Sequence, residues 1–272
     1  MKTLYLSDLD GTLLRSDERI SEYSAAVINR FVQNGGYFSY ATARSIVTAA
    51  KVTAGLNVEL PVICGNGTLI IRNGTNEILL SNFFTPDEVE FVSKIFSSYD
   101  IYPIIYAFID GKERFSYIER HVTQNMRCFL DHRIGDLRIR TVKSADDLYA
   151  GDVFCFVCID TAASLSRANN AFKSDKRFDC IYQKEVYSGG QSFEILPVNA
   201  TKANAALQLK TMLGCDRIVA FGDGMNDLSL FSVADEKYAM SNAVRQLKET
   251  ATAVIDSNDN DGVAKWIEKN AF

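Results

Sequence analysis

Strand-like and helix-like patterns alternate from the first residues, and this alternation restricts the possible fold more than any other feature of the chain. Thr3–Ser7 is a short apolar run that ends in the polar turn Asp8-Leu9-Asp10-Gly11-Thr12. Ser21–Asn34 reads as an amphipathic helix, with Ala25, Ile28, Phe31 and Val32 near helical spacing, Ser21 as N-cap and Gly35-Gly36 at its end. Tyr37–Ala41 is a second strand, Ser45–Ala54 a second helix, and Leu60–Cys64 a third strand closed by Gly65-Asn66-Gly67. Parallel strands need crossover connections, so a βαβαβ run predicts a parallel sheet with helices on both faces.

The rhythm changes near residue 83. Helical stretches such as Pro86–Ser98 and Ala162–Lys173 are mixed with β-rich, charged segments, among them Arg138–Val142, Asp152–Asp160 and Ser192–Leu196. The βα alternation then resumes: helix Thr201–Leu213, strand Arg217–Phe221 delivering Gly222-Asp223-Gly224, helix Asp227–Ala234, short strands Tyr238–Met240 and Ala253–Ile255, and helix Asp261–Lys269. The expected organisation is one α/β core built from both ends, residues 1–82 and 191–272, with a domain inserted at 83–190.

In open α/β sheets ligands bind at the carboxyl ends of the parallel strands. Here those ends carry Asp8 and Asp10, Thr42, and Asp223 with Asp227 four residues on, while Lys202 opens the helix before the Arg217 strand. Any one of these reads equally well as a cap or turn residue. Three aspartates converging on one point would repel each other unless a cation neutralised them. An all-oxygen carboxylate site suits Mg²⁺, and a neighbouring lysine and threonine would complete a phosphate site.

These segments resemble the motifs of the haloacid dehalogenase-like superfamily. Asp8-Leu9-Asp10-Gly11-Thr12-Leu13-Leu14 is similar to the first motif, Ala41-Thr42-Ala43-Arg44 to the second, Lys202 to the third and Gly222-Asp223-Gly224-Met225-Asn226-Asp227 to the fourth. Gly65-Asn66-Gly67 and Met240-Ser241-Asn242-Ala243 resemble segments common in its Cof-type phosphatases; where many relatives have glycine after the third-motif lysine, this chain has Ala203. The resemblance implies an α/β fold, a Rossmann-like parallel-sheet core with an inserted α+β cap domain of the C2 type. It implies a Mg²⁺-dependent phosphatase acting on a small phosphorylated metabolite, such as a sugar phosphate or cofactor phosphate. Asp8 would be the nucleophile and Asp10 the general acid/base; Thr42 and Lys202 would stabilise charge on the transferring group. The metal would be held by Asp8, Asp10 and Asp223, with Asp227 acting through water. Leu9, Arg44, Asn66, Asn226 and Asn242 would contact phosphate or substrate, the last two orienting either Lys202 or the phosphate. A phosphomutase would use the same aspartyl-phosphate, and a phospho-acceptor signalling module also combines aspartates, Mg²⁺ and lysine. The latter, however, is about half this length and has no use for Asp10.

Other features narrow the class. The formal net charge of −5 disfavours non-specific nucleic-acid binding, no apolar run approaches the roughly 18 residues of a membrane span, and a cytoplasmic location is expected. Six cysteines without a secretory pattern read as reduced thiols. Cys155 and Cys158 sit in a strand, where residues three apart face opposite ways and cannot share a metal. Gly222-x-Gly224 is not a dinucleotide fingerprint, because Asp227 stands at its third glycine position. Ser257–Glu268 fits a calcium loop only in part and reads better as the start of a helix. Lys112, Arg114, Arg120, Arg127, Arg133, Arg138 and Arg140 cluster in the inserted segment and read first as a solvated face. Neither His121 nor His132 lies in a nucleophile context.

Overall fold

The structure is a computed structural model that describes residues 1–185 and 187–272. In chain order the first elements are β1 (Thr3–Ser7), α1 (Glu22–Gln33), β2 (Tyr37–Tyr40), α2 (Ile46–Val52), β3 (Val62–Cys64), β4 (Leu69–Ile71) and β5 (Ile78–Ser81). There follow α3 (Pro86–Ser98), β6 (Ile104–Ile109), β7 (Lys112–Ile118), α4 (Gln124–Asp131), β8 (Ile139–Val142), α5 (Ala145–Leu148), β9 (Asp152–Asp160), α6 (Ala162–Phe172), β10 (Phe178–Lys184) and β11 (Gln191–Pro197). The chain closes with α7 (Lys202–Leu213), β12 (Arg217–Gly222), α8 (Asp227–Val233), β13 (Glu236–Met240), α9 (Arg245–Thr250), β14 (Ala253–Ile255) and α10 (Gly262–Asn270).

Two compact units result, Met1–Ser81 with Asn199–Phe272, and Asn82–Val198. The first holds a five-stranded, all-parallel sheet in the order β14-β13-β12-β1-β2. Alternation along the two central strands sends Leu4, Leu6, Ile218 and Ala220 to one face and Tyr5, Val219 and Phe221 to the other. Trp266 of α10 packs on that second face, its ring 5.2 Å from Phe221 and 4.3 Å from Tyr238. α10 also packs on α1, and α7 on α8. The helix starts follow local chemistry. Ser21 accepts from Ser24 N, and Thr201 from Asn204 N, so α7 begins at Lys202; Gly214 ends it with φ 61.

Two expectations are corrected. The third strand does not join the parallel sheet as a ladder: beside the end of β2 it forms an isolated parallel Ala41–Ile63 bridge, and its ladder is with β4 in an antiparallel β3-β4-β5 sheet. Nor does the core resume at residue 191. β11 lies between β10 and β9, antiparallel to both, with Phe193 and Ile195 in the apolar core of the second unit, so the return comes at Asn199. A buried apolar strand carries no mark of which sheet it will join.

The second unit is a six-stranded sheet, β10-β11-β9-β6-β7-β8. One face, including Cys158, packs on α3 and α6; the other, including Cys155, packs on α4. The two thiols are therefore on opposite faces, and both are free. Several of the arginines in this unit are engaged by neighbours within it. Arg127 pairs with Glu119, Arg138 with Asp136 and Glu113, Arg133 donates to Phe129 O and Arg140 to Asp147 O. No helix among the described residues is long and apolar enough to cross a membrane.

Asp261 explains the partial calcium-loop pattern. It stands before α10 at φ 57 without capping it; its carboxylate accepts from the Arg15 guanidinium, Ser21 Oγ and Ser24 Oγ at 2.6–3.2 Å. Burial pushes this carboxyl up, but Arg15 and the two serines outweigh burial and hold it below its ordinary value. A lowered carboxyl contributes stability that is present above its unfolded pKa and lost as pH falls through the folded one. Asp261→Asn tolerates the left-handed backbone, so it isolates the charge. It is expected to cost about 1–2 kcal/mol in urea unfolding at neutral pH, and the difference from wild type should shrink in acid.

Candidate active site

β1 and β12 are adjacent parallel strands in register, Ser7 opposite Phe221, and Asp8 N donates to Phe221 O at 3.0 Å. That pairing brings the chain after Ser7 alongside the chain after Phe221, although more than 200 residues separate them. The Asp8, Asp223 and Asp227 carboxylates offer oxygens that all lie within 4.8 Å of one another. Gly11 closes the first turn at φ 72, and a Cβ there would overlap the Asp223 carboxylate. Thr12 Oγ1 donates to Asp223 Oδ1 at 2.9 Å.

Lys202 is the cation of this cluster. Its Nζ donates to Asp8 Oδ1 at 2.5 Å and to Asp227 Oδ1 at 2.7 Å, with side-chain exposures of 0%, 7% and 0% for lysine, Asp8 and Asp227. Asp227 Oδ2 accepts from the backbone N–H groups of Asp223 and Gly224 at 2.9 and 3.0 Å. Asp227 thus both aims the lysine and shapes the loop that carries Asp223.

Three carboxylates share one ammonium, and their electrostatics reflect the imbalance. Burial pushes the Asp8 carboxyl up; Lys202 pulls it down, and Asp227 and Asp223 push it up again, leaving it raised. Burial also raises Asp223, to about 6, against the Thr12 hydrogen bond and with help from Asp227 and Asp10. Burial works against charge on Lys202, yet the pull of Asp8 and Asp227 wins and raises its proton affinity. A divalent cation among these oxygens would relieve the excess negative charge, and the all-oxygen donor set fits a hard ion.

The other expected residues surround the cluster. Thr42 is buried and its Oγ1 accepts from Arg44 N at 3.0 Å, which leaves the hydroxyl proton to donate. Leu9 has a fully buried side chain, so only its backbone can meet a phosphate. Asn66 stands at φ 54, and its Oδ1 accepts from Asn226 Nδ2 at 3.1 Å. Asn242 Nδ2 donates to Gly11 O at 2.8 Å. The idea that Asn226 and Asn242 orient Lys202 is corrected: Asp8 and Asp227 hold the lysine, and Asn242 instead supports the turn after Asp8. Arg44 grips Asp10 through Nε and Nη2, the shortest contact being 2.5 Å, and Nη2 also reaches Glu18 Oε2 at 2.9 Å. These contacts, the Asp10 hydrogen bond first, raise the proton affinity of the guanidinium despite burial. Sequence reading placed Thr12 in the first motif without its bond to Asp223, and missed Glu18 and Asn258, whose side chain donates to Leu14 O at 3.0 Å. Each is an ordinary turn residue whose role depends on distant partners.

A buried Asp-Lys-Asp cluster where the parallel strands β1 and β12 end is suited to hold a hard cation beside an anionic group. The comparisons supply the class: the chain matches the haloacid dehalogenase-like hydrolase family over residues 5–267, and it belongs to that family. It is similar to a 5-amino-6-(5-phospho-D-ribitylamino)uracil phosphatase of Bacillus subtilis (strain 168), 27% identical with 96% of each chain covered. An HMP-PP phosphatase of Enterobacter sp. (strain 638) is 26% identical, with 91% of this chain and 87% of the relative covered. The fold of this chain is similar to the crystal structure of a haloacid dehalogenase-like hydrolase from Bacteroides thetaiotaomicron, with TM-score 0.77, 22% identity and 99% of each chain covered. The chain is an enzyme, a phosphoric monoester hydrolase.

Lys202→Met keeps most of the volume but leaves buried carboxylates without their cation. It should destabilise the metal-free protein by about 3–5 kcal/mol in chemical denaturation. A loss below about 1 kcal/mol would show that the pair is not the cluster's main counter-charge.

Proposed function

We propose that this enzyme is a Mg²⁺-dependent phosphatase that hydrolyses a small phosphate monoester through an aspartyl-phosphate on Asp8. The observation that carries the reading is the buried Asp8 carboxylate, held by Lys202 at 2.5 Å beside Asp223 and Asp227 where β1 and β12 end. The Asp8 carboxylate attacks phosphorus in line, and the bond from phosphorus to the leaving oxygen breaks. Asp10 gives its proton to that oxygen. Water then attacks the aspartyl-phosphate, Asp10 takes the water's proton, and inorganic phosphate leaves with Asp8 regenerated. Lys202 and the Thr42 hydroxyl carry charge on the phosphoryl oxygens, the main demand of such a transfer. Asp8, Asp223 and the Asp10 backbone carbonyl would hold Mg²⁺, with Asp227 set behind them; when bound, the ion offsets the carboxylate charge that would otherwise repel a phosphate. Leu9 N–H, Arg44, Asn66, Asn226 and Asn242 are candidates for phosphate or substrate contacts.

The inserted unit, expected as residues 83–190 and extended here to Val198, is the candidate cap that selects the leaving group. One relative is named for a phosphorylated ribityl compound, which favours an ester of the polyol or sugar type. The test is phosphate release from p-nitrophenyl phosphate and from a panel of phosphorylated metabolites. Wild-type turnover should require Mg²⁺ and stop in EDTA, and Asp8→Asn should lower it by more than about 10³-fold. Turnover that survives Asp8→Asn would remove Asp8 as the nucleophile. Product isomers without free phosphate would make the enzyme a mutase.

A further inference from the structure

Arg44 binds two carboxylates, and only one of them belongs to the site described so far. The second, Glu18, comes from the turn Arg15–Arg19, which is closed by Arg15 N donating to Arg19 O and Glu18 N donating to Arg15 O, both at 2.9 Å. The C-terminal segment pins this turn. Arg15 grips Asp261 at 2.6 and 3.2 Å, and Ser16 donates to Asp259 through N and Oγ at 2.8 and 2.7 Å. At its tip Glu18 has φ 60, a left-handed backbone that a glutamate adopts only under constraint. The pinned turn thus presents the Glu18 carboxylate to Arg44 Nη2 at 2.9 Å, while the same guanidinium lies along Asp10.

We propose that Glu18 is a positioning residue for the acid–base step, one that holds the Arg44 guanidinium across Asp10; its role in turnover rests on the phosphatase reading above. A fork bound to a single carboxylate can swing with it, whereas a second carboxylate on a braced turn fixes the plane of the guanidinium and hence the direction of Asp10. It also divides the arginine's charge between two anions, so that Asp10 is oriented without becoming its sole partner. Arg44 is only 17% exposed, so little water competes for it; Glu18 is 70% exposed, which keeps its contribution modest.

Glu18→Asn separates this role from a bracing one. Asparagine tolerates the left-handed backbone, so the turn should keep its shape, but its side chain is uncharged and too short to span the distance to Arg44. Two readouts apply. Hydrogen exchange of the Arg44 Nε–H, assigned by the signal lost in Arg44→Lys, should be at least about threefold faster in Glu18→Asn. With Mg²⁺ present, kcat on an alkyl ester such as glycerol phosphate should fall about threefold to fivefold at unchanged KM. Turnover of p-nitrophenyl phosphate, whose leaving group needs little protonation, should stay within about twofold, and Tm should be unchanged. Unaltered Arg44 exchange would overturn the proposal. So would equal losses on both esters together with a lower Tm, because Glu18 would then only brace the turn. A wild-type enzyme that turns over neither ester would instead sink the phosphatase reading; Arg44 exchange, which needs no turnover, would still decide whether Glu18 holds the guanidinium.

Discussion

A lysine with no exposure to water, held between two buried carboxylates, is the constraint on which the site depends. Lys202 cannot be solvated where it stands, so its charge is tolerable only while Asp8 and Asp227 stay within hydrogen-bond reach. Asp227 in turn is anchored by the amides of Asp223 and Gly224, which couples the lysine's position to the shape of the loop after β12. The contact between Thr12 and Asp223 ties that loop to the turn after β1. Displacing Asp8, Lys202 or Asp227 would leave a buried charge unpaired, which is why three distant parts of the chain, residues 8–12, 202 and 223–227, meet in one arrangement.

The arrangement is nonetheless short of positive charge. Three carboxylates against one ammonium leave Asp8 and Asp223 raised above their ordinary values, and that excess is the physical argument for a cation in the working enzyme. A site electrostatically complete without an ion would have no reason to gather a third carboxylate. The surrounding turns are braced from the other end of the chain. Asn258, Asp259 and Asp261 support Leu14, Ser16 and Arg15, so the segment before α10 acts as the back wall of the loop after β1. The acidic pattern that partly resembled a calcium loop is used up in these contacts.

Much of this was legible before any coordinates. The alternation of strands and helices marked the parallel core, because period-two and period-3.6 patterns are written in local residue order. The aspartates, Thr42 and Lys202 stood out because polar residues at strand ends need a reason. The destinations of β3 and β11 were not legible. Both are short apolar segments, and pairing partners are chosen by packing over long sequence separations, so the second boundary moved from 191 to 199.

The sequence by itself therefore determined the class of fold, the family and the candidate reacting groups, since those depend on residue type and local order. Only the tertiary structure decided how the groups are held. That Asp227 and Asp8 rather than asparagines orient Lys202, that Arg44 spans Asp10 and Glu18, and that Arg127, Arg133, Arg138 and Arg140 are engaged by partners within the inserted unit are facts of three-dimensional distance. Charges interact through space with a steep dependence on separation and burial, and neither quantity is written in the order of the residues.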